Sequence, residues 1–292
     1  MNSHCPGPRG QNCLAQSRLA GPRGGRFEVR FGRHGAHTHI ERQFVSYPFH
    51  MTRPFALDAA IPSLLTVYQQ SSSGGLYRAE DLFSQYEIGA KAAVHVTTQA
   101  ATIVHDCQGQ PARQHSEVRM EESSFLALTP DPLVLFPRAF CETTLVARLA
   151  SGAVLFLSDS FSRHDPKAQL RPFDQLSSDI KIEDHHGRLV VRDSFRISGQ
   201  ALGSAISLIG GWNFVSNFML LGDPARLPTR KVLTQRLFSP DVITGLTELP
   251  NRAGWGVRCL AGSAIAARAI SSRLFSLSVE AAFGVSPTQR RK

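Results

Sequence analysis

The sequence has few cysteines, and none of them stands in a pattern typical of a disulfide framework or a zinc site. There are five, an odd number, and no two of them form a Cys-x-x-Cys pair. Disulfide-stabilised domains usually carry an even number of cysteines, and structural zinc sites use closely spaced pairs of ligands. The cysteine pattern therefore predicts a reducing compartment, and we expect the protein in the cytoplasm.

Long hydrophobic runs are also missing. The stretch between Arg196 and Asp223 carries no charge, but glycines, asparagines and serines interrupt it. A membrane-spanning helix needs about 20 consecutive, mostly apolar residues. This stretch instead favours buried strands joined by a turn at Gly210 and Gly211, and we expect no membrane segment and no secretory signal peptide.

Motifs of the common enzyme classes are absent as well. The chain contains no Walker A loop, no G-x-S-x-G elbow, no H-E-x-x-H helix and no Rossmann fingerprint. In a strand, His37 and His39 would point to one face, a spacing compatible with two ligands of one metal ion. Local spacing fixes no third ligand, so an exposed hairpin edge is the favoured interpretation. Composition and spacing alone therefore show a β-rich protein with no visible active site.

Positive charge is concentrated at the two ends of the chain. Lys and Arg number 32 and Asp and Glu 23, a net charge of +9. Residues 1–24 contain Arg but no acid, and residues 252–292 contain Glu280 as their one acid. A nucleic-acid-binding protein usually spreads positive charge along a face of its folded domain. Basic ends instead favour solvated tails or an acidic protein partner, and we expect no nucleic-acid partner.

Hydrophobic residues alternate with polar ones along most of the chain. Phe27, Val29 and Phe31 fall on one face of a strand, and the same period of two recurs many times before residue 250. Residues 180–182 and 189–191 flank a turn that contains Gly187, a pattern that predicts a hairpin. The fold class expected is therefore mainly β, with many short strands.

One helix is predicted, near the end of the chain. Ile270, Leu274 and Leu277 lie on one stripe, Ser263 is a suitable N-cap, and Gly284 suits the C-terminus. We expect a flexible leader at 1–25 and a single domain at 26–292. Its β body covers about 26–250 and its C-terminal helical element about 259–284. No internal repeat of fixed period is visible.

Six segments of the chain are distinctive in their sequence and in their order. They are GRFEVRF, YPFHMTRPF, SSSGGLYRAEDL, HVTTQAATIVH, FLALTPDPLVLFPRAFCE and GWGVRCL. Together they resemble the family of urease accessory proteins called UreD, or UreH in some organisms. The resemblance extends from about Gly25 to Pro287, and Thr97–Thr102 is its most specific part.

The resemblance implies a β-helix-like, solenoid-type body with helices near the C-terminus. It further implies a maturation factor without catalysis of its own, which acts with the partners UreF and UreG to insert nickel into apo-urease. UreG is a GTPase, so GTP would be bound by this partner and not by the chain itself. No tightly bound cofactor is implied, and nickel would be held transiently.

The site residues expected on this basis are acids for a nickel path and arginines for partner binding. The candidate nickel-path residues are Glu80, Asp81, Asp131 and Asp159, and the candidate partner-binding residues are Arg258, Arg268 and Arg273. Family members usually carry a second Gly pair and an acid where this chain has Arg78-Ala79-Glu80. Replacing glycine by another residue lowers the free energy of unfolding by about 1 kcal/mol if the backbone at that position needs a positive φ.

Two other interpretations stay open at the level of sequence. The second, after the maturation factor, is a diverged UreD-like paralogue that serves as a general protein-interaction scaffold without nickel delivery. A hydrolase or lyase acting on a polymer in a groove of a β-solenoid is the third, and it requires acids or bases with shifted pKa values in one cleft.

Overall fold

The computed structural model describes residues 24–203 and 212–288, and two β-sheets that face each other form most of it. The expected leader lies almost wholly outside these residues, and its last two, Gly24 and Gly25, belong to the first strand. The first sheet consists, in spatial order, of β14 (Leu189–Ile197), β13 (Gln175–Asp184), β11 (Phe140–Leu149), β8 (Ala112–Met120), β5 (Asp81–Ile88), β1 (Gly24–His34) and β2 (His37–Val45).

The second sheet has ten strands. Eight of them are, in spatial order, β16 (Val242–Glu248), β17 (Gly254–Ala261), β15 (Phe214–Gly222), β12 (Val154–Arg163), β9 (Phe125–Thr129), β6 (Ala93–Thr97), β4 (Leu64–Ser71) and β3 (Phe49–Met51). The short strands β7 (Thr102–Val104) and β10 (Leu133–Leu135) continue this sheet beside the end of β12.

The chain winds between the two sheets as a solenoid. Strands β5, β8, β11 and β13 are parallel neighbours in the first sheet, and β6, β9 and β12 are parallel neighbours in the second. Asp81 pairs with Arg113, Arg113 with Glu142, and Glu142 with Ser177, so successive coils differ in length. The expected β-solenoid is confirmed, and the unequal coils explain why the sequence shows no fixed repeat.

Antiparallel hairpins end the first sheet on both sides. Strands β1 and β2 form one, and Phe27, Val29 and Phe31 are buried on its inner face as the alternation predicted. The predicted hairpin at 180–191 is formed by β13 and β14, with Gly187 in its turn at φ 79. A positive φ of this kind suits glycine.

Two hydrophobic layers lie on either side of the second sheet. In β12, Leu155 and Leu157 point into the space between the sheets, while Val154 and Phe156 point to the other face. That other face is covered by α3 (Ala264–Phe283), which contributes Ile270 among others. The alternation of β12 therefore stabilises both layers at once.

The predicted C-terminal helix is confirmed, including both caps. Ser263 accepts a hydrogen bond from the Ala266 amide, and Gly284 has φ 75. Strand β17 continues to Ala261, because Val257, Cys259 and Ala261 alternate into the core, so the helical element begins later than the expected residue 259.

Of the uncharged stretch between Arg196 and Asp223, the structure describes the residues up to 203 and from 212 onward. Residues 214–222 form the expected strand, β15, and residues 199–202 form the short helix α1 (Gly199–Leu202). The predicted turn at Gly210 and Gly211 lies outside the described residues. A second short helix, α2 (Arg230–Arg236), follows β15. Within the described ranges, no helix is long and apolar enough to cross a bilayer.

Candidate functional site

A cavity of about 540 Å³ lies between the two sheets. It forms where the inward positions of the strands change from apolar to polar. In the first sheet, Val118, Ala147 and Ile182 belong to the apolar core, whereas Gln114 and Ser178 line the cavity. Because side chains of alternate residues share one face, this change places hydroxyl and amide groups inside the molecule.

Neighbouring coils align the polar groups of the first sheet. Gln114 pairs with Thr143, and Thr143 pairs with Ser178, so three polar side chains stand side by side on three strands. On the opposite wall, the second sheet contributes Gln69 from β4 and Asp159 from β12. The cavity wall thus carries oxygen and nitrogen groups from both sheets among apolar side chains such as Leu145 and Leu157.

Asp159 is one of the two acids in the cavity wall. It is partly buried, and its carboxylate accepts a hydrogen bond of 2.7 Å from the Ser178 hydroxyl of the facing sheet. Burial raises the pKa of the Asp159 carboxyl above its usual value, the Ser178 hydrogen bond partly offsets that rise, and the charge of Asp193 adds to it. A carboxyl group held in this way is readily neutralised by a proton or by a cation.

A polar cluster lies next to Asp159 at the edge of the first sheet. Asn217 of β15 is the register neighbour of Asp159, and its amide donates a hydrogen bond to Asp193 of β14. The Arg258 guanidinium, from β17, lies 2.7 Å from the other oxygen of Asp193. We call Asp193, Asn217 and Arg258 the edge cluster.

The segment most specific to the UreD resemblance forms another part of the cavity wall. Residues 98–103 line it, and the Thr98 hydroxyl accepts a hydrogen bond of 2.8 Å from the Asp131 amide. Asp131 lies on the same wall. Gln99, Ala100 and Ala101 are exposed, so the cavity opens to solvent on this side.

Glycine is required beside this opening. Gly75 has φ 146, and a Cβ added there would lie 2.4 Å from the Ile103 carbonyl oxygen and 2.9 Å from Nε2 of His105. A residue with a Cβ rarely adopts this φ and has no room for contacts this short. The close approach of Gly75 to residues 103–105 therefore depends on the absence of a side chain.

The expected nickel-path acids fall into two groups. Asp131 and Asp159 line the cavity, whereas Glu80 and Asp81 do not. Glu80 is buried and accepts a hydrogen bond of 3.0 Å from the Tyr77 amide, which closes the turn before β5. Asp81 faces outward because the next residue, Leu82, faces inward, and it lies 3.3 Å from His115 on the outer face of the first sheet.

The expected partner-binding arginines have three different environments. Arg258 belongs to the edge cluster, and Arg273 donates hydrogen bonds to the carbonyl oxygens of Arg236 and Phe238 at the end of α2. Arg268 is exposed on α3, and it forms no ion pair with another residue of the described ranges.

Strong metal ligands do not cluster in the part of the chain that the structure describes. No group of three His, Cys, Asp or Glu side chains is placed to hold a metal ion there. His37 and His39 are exposed on a hairpin strand, as the sequence indicated. Cys107, Cys141 and Cys259 are buried free thiols, and burial raises their pKa values, that of Cys259 to about 11.

Sequence reasoning did not find Ser178, Asp193 or Asn217. Each stands in an ordinary strand pattern. Ser178 reaches Asp159, and Asn217 reaches Asp193, only because the two sheets face each other, and Asn217 lies beside Asp159 only through the pairing of β12 with β15. The signal that was present is the alternation itself, because Asp193 and Asn217 occupy positions where an apolar inward residue is expected.

Fold and site together define a β-solenoid protein with an internal cavity lined by both apolar and polar side chains. The family described as "UreD urease accessory protein" matches residues 23–292. The chain is 38% identical over 258 residues to urease accessory protein UreD 3 of Bradyrhizobium sp. (strain ORS 278), covering 88% of this chain and 91% of that protein. It is 40% identical over 264 residues to UreD 1 of Methylorubrum populi, covering 90% of each. The chain belongs to the UreD family.

Proposed function

We propose that this protein is a urease maturation factor that acts without catalysis of its own. Its membership of the UreD family over residues 23–292 carries the proposal. On this view it binds apo-urease and works with UreF-like and UreG-like partners while nickel is inserted. It would act in the cytoplasm, with nickel as transient cargo and with GTP bound by a partner.

The cavity suits weak handling of a divalent cation. Its wall offers the carboxylates of Asp131 and Asp159 together with the hydroxyl of Ser178 and side-chain amides. Oxygen ligands of this kind suit a cation that keeps part of its water shell, whereas imidazole and thiolate clusters bind nickel and similar ions more tightly. Loose contacts favour release, as a transfer function requires.

The proposal is tested by co-expressing the chain with urease subunits and UreF-like and UreG-like partners. We expect the tagged chain to retain apo-urease and the UreF-like protein, and the recovered urease to contain nickel by mass spectrometry. Asp159→Asn and Asp131→Asn should lower the nickel content of urease at least about tenfold while retention is unchanged. Asp81→Asn, which alters an outward carboxylate, is the matched control and should have no effect.

Two results would contradict this proposal. Retention of neither partner would remove the maturation role. The other result is that Asp159→Asn and Asp131→Asn retain both partners and yield urease with a normal nickel content. The protein would then act as a scaffold, and the cavity would have no part in nickel delivery.

A further inference from the structure

We infer that the tip of the β1–β2 hairpin binds a late first-row divalent metal ion through His34, His37 and His39. Nickel, copper and zinc belong to this class of ion, and imidazole is a suitable ligand for all three. The binding itself is independent of the proposed function. Only the choice of nickel as the first ion to test rests on that function, because nickel is the proposed cargo.

The pairing of β1 with β2 brings the three histidines onto one face of the hairpin. His34 pairs with His37 across the turn, and Gly32 pairs with His39. Paired residues share a face, and so do residues two apart on one strand. All three histidines are exposed, while Thr38 is buried on the other face. Sequence spacing alone indicated two ligands for one ion, and the hairpin register supplies the third.

The spacing on this face is short enough for imidazoles to share one ion. Directly paired residues, such as His34 and His37, have Cβ atoms about 5 Å apart. Residues two apart on a strand, such as His37 and His39, are separated by about 7 Å. An imidazole nitrogen lies about 2 Å from the zinc ion that it binds. Rotation about the two side-chain bonds of each histidine is enough to bring the nitrogens around one ion.

The three imidazoles are free to make this movement. None of them forms a hydrogen bond, an ion pair or a ring contact with another residue of the ranges that the structure describes. In the positions described, the rings do not already converge on one point. The site therefore forms as exposed rings rotate onto the arriving ion, which keeps water in its remaining coordination positions.

The backbone beneath the rings is held in place by contacts with neighbouring segments. The Thr38 hydroxyl accepts a hydrogen bond of 3.0 Å from the Ala93 amide of β6. The Arg33 guanidinium donates hydrogen bonds of 3.0 Å to the carbonyl oxygens of Gly35 and Lys91. Ligands on a fixed backbone lose less conformational freedom when they bind an ion, so only the side chains need to be ordered.

A carboxylate lies on the same face as the histidines. A Cβ added at Gly32 would collide with the Glu41 side chain, and Oε1 of Glu41 is the atom nearest to it. The carboxylate thus covers the position that Gly32 leaves open, opposite His39. Its Oε2 accepts a hydrogen bond of 2.8 Å from Arg30, which also pairs with two further glutamates. A negative charge that Arg30 only partly compensates favours a cation at this face.

The hairpin tip and the cavity lie at opposite ends of β5. Leu82, Ser84 and Tyr86, in the first part of this strand, line the cavity. Gly89, just after the strand, donates a hydrogen bond of 2.8 Å to the Phe31 carbonyl oxygen near the hairpin tip. The histidines can therefore be replaced without altering the cavity wall.

Isothermal titration of the full chain with nickel chloride tests the inference. The chain carries no polyhistidine tag, and every variant contains His4→Ala, Cys5→Ser and Cys13→Ser, since these three residues are metal ligands in their own right. We expect about one nickel ion per chain, and its loss when His34, His37 and His39 are all replaced by alanine. Copper and zinc should bind through the same residues.

His34→Ala alone distinguishes three ligands from two. Loss of a group that only supports a metal ligand commonly weakens binding by about 10–100-fold, so loss of a direct ligand should weaken nickel binding at least about tenfold. An unchanged affinity in His34→Ala would overturn the three-histidine site.

His185→Ala together with His186→Ala is the matched control. These histidines are exposed in the turn between β13 and β14, and their rings lie 3.8 Å apart without a third imidazole paired across the strands. Their replacement should leave nickel binding unchanged, and so should Asp159→Asn in the cavity. Thermal unfolding confirms that each variant keeps its fold.

The inference is wrong if the triple histidine variant binds nickel like the parent chain, or if the His185 and His186 control loses as much binding. Either result leaves the proposed function intact, because that function is judged by partner retention and by urease nickel in Asp159→Asn and Asp131→Asn. Loss of binding in the triple variant supports the hairpin site even where those cavity variants deliver nickel normally.

Discussion

The Ser178 hydroxyl donates a 2.7 Å hydrogen bond to the Asp159 carboxylate across the gap between the two sheets. This contact sets a carboxyl group with a raised pKa into the wall of the cavity. A structural role alone would be served as well by a neutral amide, which has no charge to desolvate.

Asp159→Asn should therefore separate stability from function. The folded-state pKa of Asp159 lies above the unfolded-state value, so the folded protein binds this proton more tightly. Its free energy of unfolding then falls as pH rises from about 4 through the folded-state pKa. Above that window we expect Asp159→Asn to melt at the same temperature as the unmodified chain or higher, although urease nickel falls. Thermal unfolding between pH 4 and 8 measures this, and a lower melting temperature at pH 8 would contradict it.

Ala79 stands where the family pattern has glycine, and its φ of 57 lies in the left-handed region. An L-residue with a Cβ is strained there, while glycine is not. We expect Ala79→Gly to raise the free energy of unfolding by about 0.5–1 kcal/mol, since relief of strain outweighs the added freedom of the unfolded chain. Denaturant titration measures it, and destabilisation by the glycine would show that the turn carries no strain at this residue.

Gly75→Ala should destabilise the protein more than Gly109→Ala. Both glycines have positive φ, but a Cβ at Gly109 meets nothing within 4 Å, whereas one at Gly75 meets the Ile103 carbonyl oxygen at 2.4 Å. We expect losses of about 1 kcal/mol at Gly109 and about 2–3 kcal/mol at Gly75. Equal losses in denaturant titration would mean that close packing beside the cavity opening is unimportant.

Arg273→Ala and Arg268→Ala should affect different properties. Arg273 donates to the Arg236 carbonyl at 2.9 Å, so its loss should lower the free energy of unfolding by about 0.5–1.5 kcal/mol. Arg268 is exposed on α3, and its removal should leave unfolding unchanged and weaken capture of the UreF-like protein at low salt. Normal capture by Arg268→Ala would argue against partner binding through this part of α3.

Local patterns in the sequence predicted the elements whose contacts are local. The helix from Ala264 to Phe283 has both of its caps within its own segment, and the hairpin of β13 and β14 has its turn between its strands. The site depends on contacts of another kind. Asp159 meets Ser178 and Asn217 only through the facing of sheets and the register of distant strands, which no local pattern encodes.

The same distinction explains the placement of Glu80 and Asp81. Their family position suggested a metal path, but the direction of each side chain is set by the alternation of β5 and by the turn before it. A shift by one residue moves a side chain from one face of a sheet to the other. Family resemblance located the segment, but the turn holds Glu80 and the alternation of β5 directs Asp81 outward, so neither acid lines the cavity.

The two hairpins that end the first sheet have a further consequence for self-association. A stack of parallel strands exposes unpaired amide and carbonyl groups at both ends, to which another coil or another chain can add. Here β2 and β14 reverse direction and occupy those ends. Both carry exposed charged residues, such as Arg42 and Arg192. The edge of the first sheet thus lies on hairpin strands whose charged side chains disfavour the addition of another strand.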